Sequence, residues 1–240
     1  VEKNKRLKTA AESGGGLVIL AGAGMSAESG IPTFRGEDGL WRSFRAEDLA
    51  TPGAFARDPV LVWEWYEWRR GLVAGCEPNP AHYAVTYLEE RARGDFLLVT
   101  QNVDGLHRVA GTKNHCEVHG CLWETRCLNC GAVEEERKHP LGELPPKCSC
   151  GGTLRPNVVW FGESLPETAL NSAFSAAQQC DVMIIVGTSG VVYPIAYLPR
   201  VAKDAGAYVI EVNLERTPIS ALADEVHLGP AGEVLPSLVG

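Results

Sequence analysis

Short uninterrupted apolar runs punctuate the chain at residues 17–20, 96–100, 182–186 and 208–213, with a weaker one at 225–228. Runs of this length, apolar at successive rather than alternate positions, predict strands buried on both faces of a parallel sheet, with 225–228 as an edge strand. Between them lie helix-like segments at 59–71, 80–93, 166–179 and 194–205. Each has a proline near its start, where a missing N–H costs no hydrogen bond. The alternation predicts an α/β fold. Two stretches break the rhythm: the tryptophan-rich 34–78 and the cysteine-rich 121–156, which has Pro-Pro and Gly-Gly turns and little periodicity. Both read as insertions forming a smaller second lobe.

Composition narrows the picture. A chain of 240 residues, 45% hydrophobic and 22% charged, can bury a core without disulfides, so its 8 cysteines need another explanation. A net charge of −8 argues against a nucleic-acid partner and suits basic, lysine-bearing protein substrates. No stretch approaches the roughly 18 apolar residues of a membrane span, so no membrane partner is expected. The basic start is followed by polar and glycine residues rather than a secretory apolar core. The expected location is the reducing cytoplasm, where paired cysteines more often bind metal than each other.

Candidate chemistry begins at Gly22-Ala23-Gly24-Met25-Ser26-Ala27-Glu28-Ser29-Gly30, which follows the first strand and satisfies the G-x-G-x-x-G/A pattern. Glycines there let a backbone approach a pyrophosphate, and a helix starting behind them would favour its charge. The same pattern also makes a plain turn. The acidic ribose ligand of ordinary hydride-transfer enzymes is not evident about 20 residues on, because Glu47 and Asp48 follow no strand-like run. Asn213-Leu214-Glu215, closing a later strand, offers a substitute. Cys127-x2-Cys130 and Cys148-x-Cys150 supply four thiolates in two close pairs, the donor set of a closed structural Zn2+ site. Cys76, Cys116, Cys121 and Cys180 lack such pairing and read as buried or incidental.

Gln101-Asn102-Val103-Asp104 emerges at a strand's carboxyl end, where α/β sheets place ligands, and would recognise hydroxyls or a carboxamide. A turn with helix capping would use Asn102 or Asp104 singly and leave Gln101 idle. His119, beside Gly120, is a candidate general base, although a lone histidine is more often structural.

Together and in this order, these segments resemble the sirtuin family of NAD-dependent protein deacylases. The likeness extends through Ile31-Pro32-Thr33-Phe34-Arg35-Gly36, Glu117 to Gly120, residues 154–163 and Gly187-Thr188-Ser189, nearly the whole chain. It implies a Rossmann-like parallel-sheet domain (about 1–33, 79–119 and 157–240). It also implies an inserted small lobe made of a helical module (34–78) and a zinc module (120–156). It further implies that NAD+ and acyl-lysine meet between them. His119 would be the general base, with Asn102 beside it in the catalytic centre and Gln101, Asn102 and Asp104 holding nicotinamide and its ribose. Gly22, Ala23, Gly24, Pro32, Phe34, Arg35, Gly187, Thr188, Ser189, Asn213, Leu214, Glu215 and Ala231 would line the rest of the NAD site. Val159, Phe161 and Gly162 on one edge, and Val192 and Tyr193 on the other, would sandwich an extended acyl-lysine peptide by strand addition. Met25, Cys116, Val118 and the shortened second cysteine pair depart from the family pattern without removing a reacting group.

The implied reaction consumes NAD+. The acyl oxygen attacks C1′ of the nicotinamide ribose and nicotinamide leaves. His119 then accepts a ribose proton, and water releases free lysine and O-acyl-ADP-ribose. Tyr66 and Arg69, three residues apart and so on one helix face, resemble the pair by which desuccinylase-type (class III) members hold an acyl carboxylate. Ala54 would widen that pocket. An amphipathic helix with Trp63 and Trp65 packed and Arg69 solvated is the plainer reading. Deacetylation with weak desuccinylation and mono-ADP-ribosyl transfer from the same pocket are the enzymatic alternatives. A non-enzymatic zinc-stabilised binding module would leave Gln101, Asn102 and Asp104 without a role.

Overall fold

The computed structural model describes residues 5–32 and 45–240. In chain order the described helices and strands are α1 (Lys5–Ser13), β1 (Leu17–Ala21), α2 (Ala46–Leu49), α3 (Pro52–Arg57), α4 (Pro59–Ala74), α5 (Pro80–Arg91), β2 (Phe96–Thr100), α6 (Leu106–Ala110), β3 (His115–Glu117), β4 (Gly120–Cys127), β5 (Val133–Glu135), β6 (Leu154–Val158), α7 (Glu167–Gln179), β7 (Val182–Val186), α8 (Leu198–Asp204), β8 (Tyr208–Asn213), β9 (Glu225–Leu228) and α9 (Ala231–Val239). Six strands form one parallel sheet in the order β3-β2-β1-β7-β8-β9. Counting these strands alone, this is the 3-2-1-4-5-6 order of doubly wound dinucleotide-binding domains. The winding reverses between β1 and β7, where a crevice opens at the carboxyl ends.

The alternation of side chains along a strand explains why the apolar runs are unbroken. Leu17, Ile19 and Ala21 join Ile184 and Ile210 in a core roofed by Val85 and Leu88 of α5 and Leu235 of α9. Val18 and Leu20 face the other way, onto Met183, Ile185, Val209 and the small Ala173 and Ala177 of α7. All five residues of β1 and of β7 are therefore buried.

A second, antiparallel sheet, β5-β4-β6, lies in the cysteine-rich stretch that the sequence pattern showed as aperiodic. Its strands escaped notice because β5 is wholly exposed and β6 carries Arg155, Pro156 and Asn157. Its core comes from large rings: Trp63 and Tyr66 of α4, Leu122 and Trp123 of β4, and Trp160. Buried Arg70 of α4 fastens the loop after β5, donating to the carbonyls of Glu136 and of Lys138 (3.0 Å), while Glu67 accepts from Leu141 N (2.6 Å).

Two expectations need correction, and one strand was not foreseen. The glycine-rich turn leads into two short 3-10 turns, Ala23–Met25 and Ala27–Ser29, closed by Gly30 at φ 89°, and not into a helix that could favour an anion. The helix expected at 194–205 is a 3-10 turn, Ile195–Tyr197, followed by α8. The three-residue β3 was not anticipated, because its sequence, His-Cys-Glu, is polar. Among the described residues no helix is long and apolar enough to cross a membrane.

Gly120, where β3 turns into β4, holds φ 79°, and a Cβ there would lie 2.0 Å from Asn157 O. Gly120→Ala is therefore expected to lower the unfolding free energy by at least about 2 kcal/mol, visible as a shifted urea midpoint. An unchanged midpoint would show that the β4–β6 contact yields more easily than this packing implies.

Candidate active site

At the crevice, backbone meets backbone. Gly22 N donates to Val186 O (2.9 Å) and Gly24 N to Gly187 O (2.8 Å). A Cβ on Gly22 would sit 2.7 Å from Thr188 Cβ, and one on Gly24 2.8 Å from Gly187 Cα. Gly187 itself needs φ 61°. The glycines thus serve close approach of the loops leaving β1 and β7, and together those loops make a glycine-lined floor.

Ser26 is the hub behind that floor. Its hydroxyl donates to Asp104 Oδ2 (2.8 Å) and accepts from Asn102 Nδ2 (3.1 Å). Asn79 N donates to His82 Nδ1 (3.2 Å), so the His82 proton sits on Nε2, which reaches Ser26 Oγ at 3.4 Å. One proton and two lone pairs are all used. Asn102 Nδ2 also donates to Gly22 O (3.0 Å), so what this side chain offers a ligand is its carbonyl oxygen. Burial raises the Asp104 carboxyl pKa, opposed by the Leu106 N–H, the Ser26 hydroxyl and the charge of Arg69. Gln101 Nε2 holds Thr188 Oγ1 (3.0 Å) and Asn213 Nδ2 holds Thr188 O (2.9 Å), linking the ends of β2, β7 and β8.

His119 follows β3 and is half-buried. Its Nδ1 lies 3.0 Å from Gln101 O, and a carbonyl only accepts, so Nδ1 carries the proton and Nε2 keeps a lone pair. Burial lowers its pKa, outweighing the Gln101 hydrogen bond, so the ring is neutral near pH 7. The turn that carries it is clamped by Arg108, which bonds Glu117 Oε1 (3.0 Å) and Glu124 Oε1 (2.7 Å). Asn157 Nδ2 holds the other oxygen of Glu124 (2.9 Å).

On the small-lobe side, Val159 N donates to His119 O (2.9 Å), Trp160 N to Glu163 Oε2 (2.9 Å) and Phe161 N to Ala50 O (2.9 Å). Glu163 N in turn donates to Trp160 O (3.0 Å), so the N–H groups of 159–161 and the Trp160 carbonyl are engaged within the chain. Tyr66 is fully buried and accepts a hydrogen bond from Trp160 Nε1 (2.8 Å). The Arg69 guanidinium lies 5.0 Å over Trp65 and 5.7 Å from the Tyr66 ring, within the field of Asp104.

The sulfurs of Cys127, Cys130, Cys148 and Cys150 all lie within 4.8 Å of one another, with Cys127–Cys150 at 3.5 Å and Cys130–Cys148 at 3.8 Å. Four sulfurs about 2.3 Å from a tetrahedral Zn2+ stand about 3.8 Å apart, so the donor set suits one structural zinc ion. The Gly152 N–H, then Asn129 Nδ2, hold the Cys150 thiol down at about 6, a thiolate near neutral pH. The shortened pair still closes because Gly152 has no Cβ, which would lie 2.7 Å from Cys127 Sγ.

The structure brings together Gly22, Gly24, Gln101, Asn102, Asp104, Gly187, Thr188 and Asn213 through the contacts above. Leu214 and Glu215 lie exposed beyond β8, and Ser189 is half-buried after Thr188. Ala231 is buried at the start of α9, next to Gly232, whose N–H donates to Glu28 (2.6 Å). Val192 and Tyr193 are 42% and 73% exposed, and Gly162 and Phe161 are exposed too, as a peptide-binding edge requires. Pro32 is exposed; Phe34 and Arg35 lie outside the described residues. Ala54 is buried in the small-lobe core. Ser26, His82 and Trp160 were not singled out from the sequence. Only the contacts reveal them, since each joins a residue at least 56 positions away.

Such a sheet, with a glycine crossing at its switch point and a neutral histidine at its carboxyl end, defines a dinucleotide-using α/β protein. The Sir2 family model matches residues 22–194, and the chain belongs to that family. Its relatives include an NAD-dependent protein deacylase of Aquifex aeolicus, 59% identical over 209 residues and 87% of each chain. NAD-dependent protein deacylase 2 of Pyrobaculum aerophilum is 54% identical over 225 residues, 92% of this chain and 89% of its own. A crystal structure of a Sir2 homolog–NAD complex superimposes with TM-score 0.91 at 47% identity, covering 100% of this chain and 93% of its own. A Sir2–p53 peptide–NAD+ structure gives 0.83 at 29%, covering 99% and 96%.

Two outcomes follow. Metal analysis of the purified chain should find one zinc per molecule, and its removal by a strong chelator should lower Tm by several degrees; a metal-free chain of equal Tm would exclude a structural zinc. Burial also pushes the pKa of His82 down to about 4, whereas unfolded histidine titrates at about 6.5. Stability is then full above pH 6.5 and falls by up to about 3 kcal/mol as pH drops to 4, because the unfolded chain takes the proton first. Burial, with the neighbouring His82 and His115, lowers His107 in the same direction. Urea titrations at pH 7 and 4.5 should show the fall, and His82→Gln should flatten it; an equal slope in the variant would acquit His82.

Proposed function

We propose that the chain is an NAD-dependent protein-lysine deacylase that removes acetyl groups and also succinyl and malonyl groups. The observation that carries this reading is His119, whose Nδ1–H is held by the Gln101 carbonyl so that Nε2 keeps its lone pair, in a chain of the Sir2 family. Bound NAD+ would supply a ribosyl carbon for the acyl oxygen to attack and, with one water, would be consumed to nicotinamide and O-acyl-ADP-ribose, leaving free lysine.

The chain's own residues have distinct tasks. The floor of Gly22, Ala23, Gly24 and Gly187 admits a pyrophosphate, and Pro32, Phe34 and Arg35 are further NAD+ residues that the Sir2 likeness implies. Thr188, Ser189, Asn213, Leu214, Glu215 and Ala231 border the rest of the NAD+. Asn102, fixed by Ser26 and Gly22, offers its carbonyl oxygen to the nicotinamide ribose, with Gln101 and Asp104 beside it. His119 then accepts the ribose proton. The edge formed by Val159, Phe161 and Gly162 and the exposed Val192 and Tyr193 receive the peptide. The acyl chain runs toward Tyr66 and Arg69, whose guanidinium matches a distal carboxylate. In this reading the chain divides into a large domain (about 1–33, 79–119 and 157–240) and a small lobe (about 34–78 and 120–156), with NAD+ and acyl-lysine between the two. Protein substrates, a cytoplasmic setting and no nucleic-acid partner complete this reading.

One peptide carrying acetyl- or succinyl-lysine, assayed with and without NAD+, tests it. Turnover is expected only with NAD+, and His119→Ala should lower kcat at least about 100-fold. Arg69→Met should reduce desuccinylation far more than deacetylation. Turnover without NAD+ would defeat the mechanism, and equal losses in Arg69→Met would defeat the acid pocket.

A further inference from the structure

We propose that Trp160 is a specificity-determining positioning residue, which turns the Tyr66 hydroxyl into a hydrogen-bond donor for an acidic acyl group. This inference rests on the acid-pocket reading above and adds a residue to it.

A phenol has one proton to give and oxygen lone pairs with which to accept. Indole N–H only donates. With Trp160 Nε1 donating to Tyr66 OH at 2.8 Å, the phenol oxygen is engaged as an acceptor and its proton must point elsewhere. Among the described residues no acceptor for that proton is found, although Tyr66 is fully buried. A buried donor without a partner is costly, and an acyl carboxylate arriving beside Arg69 would satisfy it. Without the indole N–H, nothing would fix which way the hydroxyl proton points.

Trp160 is itself held from three sides. The Arg155 guanidinium stacks 3.4 Å from the centre of its ring. That guanidinium is fixed by two bonds to Glu163, at 2.6 and 2.9 Å, and by Val158 O at 2.9 Å. Glu163 Oε2 also takes the Trp160 backbone N–H. Phe55 packs on the indole at 5.2 Å between ring centres. The N–H direction is therefore set by the frame around the ring, and the line Glu163, Arg155, Trp160, Tyr66 ends at the acyl pocket. A carboxylate-bearing acyl group gains from a preset donor; an acetyl group, which has nothing there to accept it, does not.

A double-mutant cycle with Trp160→Phe and Tyr66→Phe tests this, reading KM and kcat on acetyl- and succinyl-lysine forms of one peptide with NAD+ present. Phenylalanine keeps a ring against Arg155 and Phe55 but has no N–H. Trp160→Phe should raise KM for the succinyl peptide relative to the acetyl peptide by roughly five- to tenfold. In the Tyr66→Phe background the same change should leave that ratio unaltered. A ratio that does not move in the single variant, or that moves equally in both backgrounds, overturns the proposal and leaves Trp160 as packing only. Arg69→Met separates the two readings. If it selectively depresses desuccinylation while Trp160→Phe does not, the Trp160 assignment alone fails; if it affects both substrates equally, the acid pocket fails and the Trp160 assignment falls with it.

Discussion

Everything in the site depends on a place where no side chain fits. Between β1 and β7 the chain's winding reverses, and two loops must leave adjacent strand ends almost in contact. Gly22, Gly24 and Gly187 make that possible: the N–H groups of Gly22 and Gly24 donate to the carbonyls of Val186 and Gly187 across a gap that a single Cβ would close. Once the loops are locked, Ser26 stands where it can collect Asn102, Asp104 and His82, and Asn102 is left with one group to offer. The polar residues of the site are thus oriented from behind by buried hydrogen bonds, and little reorganisation is left for the moment of reaction.

The small lobe uses one helix for two purposes. Along α4, Tyr66 meets Trp160 and Arg69 lies over the Trp65 and Tyr66 rings, while Glu67 and Arg70, one residue on from each, grip the loop that leads into the cysteine cluster. A rotation of about 100° per residue makes this division natural on a helix. The four-thiol module is therefore mechanically joined to the helix that carries Tyr66 and Arg69.

How much of this was legible beforehand follows from burial. Strands β1, β2, β7 and β8 announce themselves because a sheet covered on both faces demands unbroken apolar runs. Strand β3 lies at the sheet edge and β4–β6 rest on a core of tryptophans contributed largely by α4, so their own letters look like loop. The glycine turn, the Gln101–Asp104 cluster and the four cysteines were readable because their chemistry is compressed into a few consecutive positions. The Ser26–His82 and Tyr66–Trp160 bonds span 56 and 94 residues, and no local pattern encodes such a meeting.

The carboxylate of Glu28, just past the glycine turn, accepts from the N-terminal turn of α9, 204 residues later in the chain. During synthesis the glycine turn emerges early and its latch among the last elements described here. At about 5–20 residues per second, on the order of ten or more seconds separate the two. Through that interval the nascent large domain has a dinucleotide floor with one side unfastened, so the site is finished by the final helix and not by the motif that marks it.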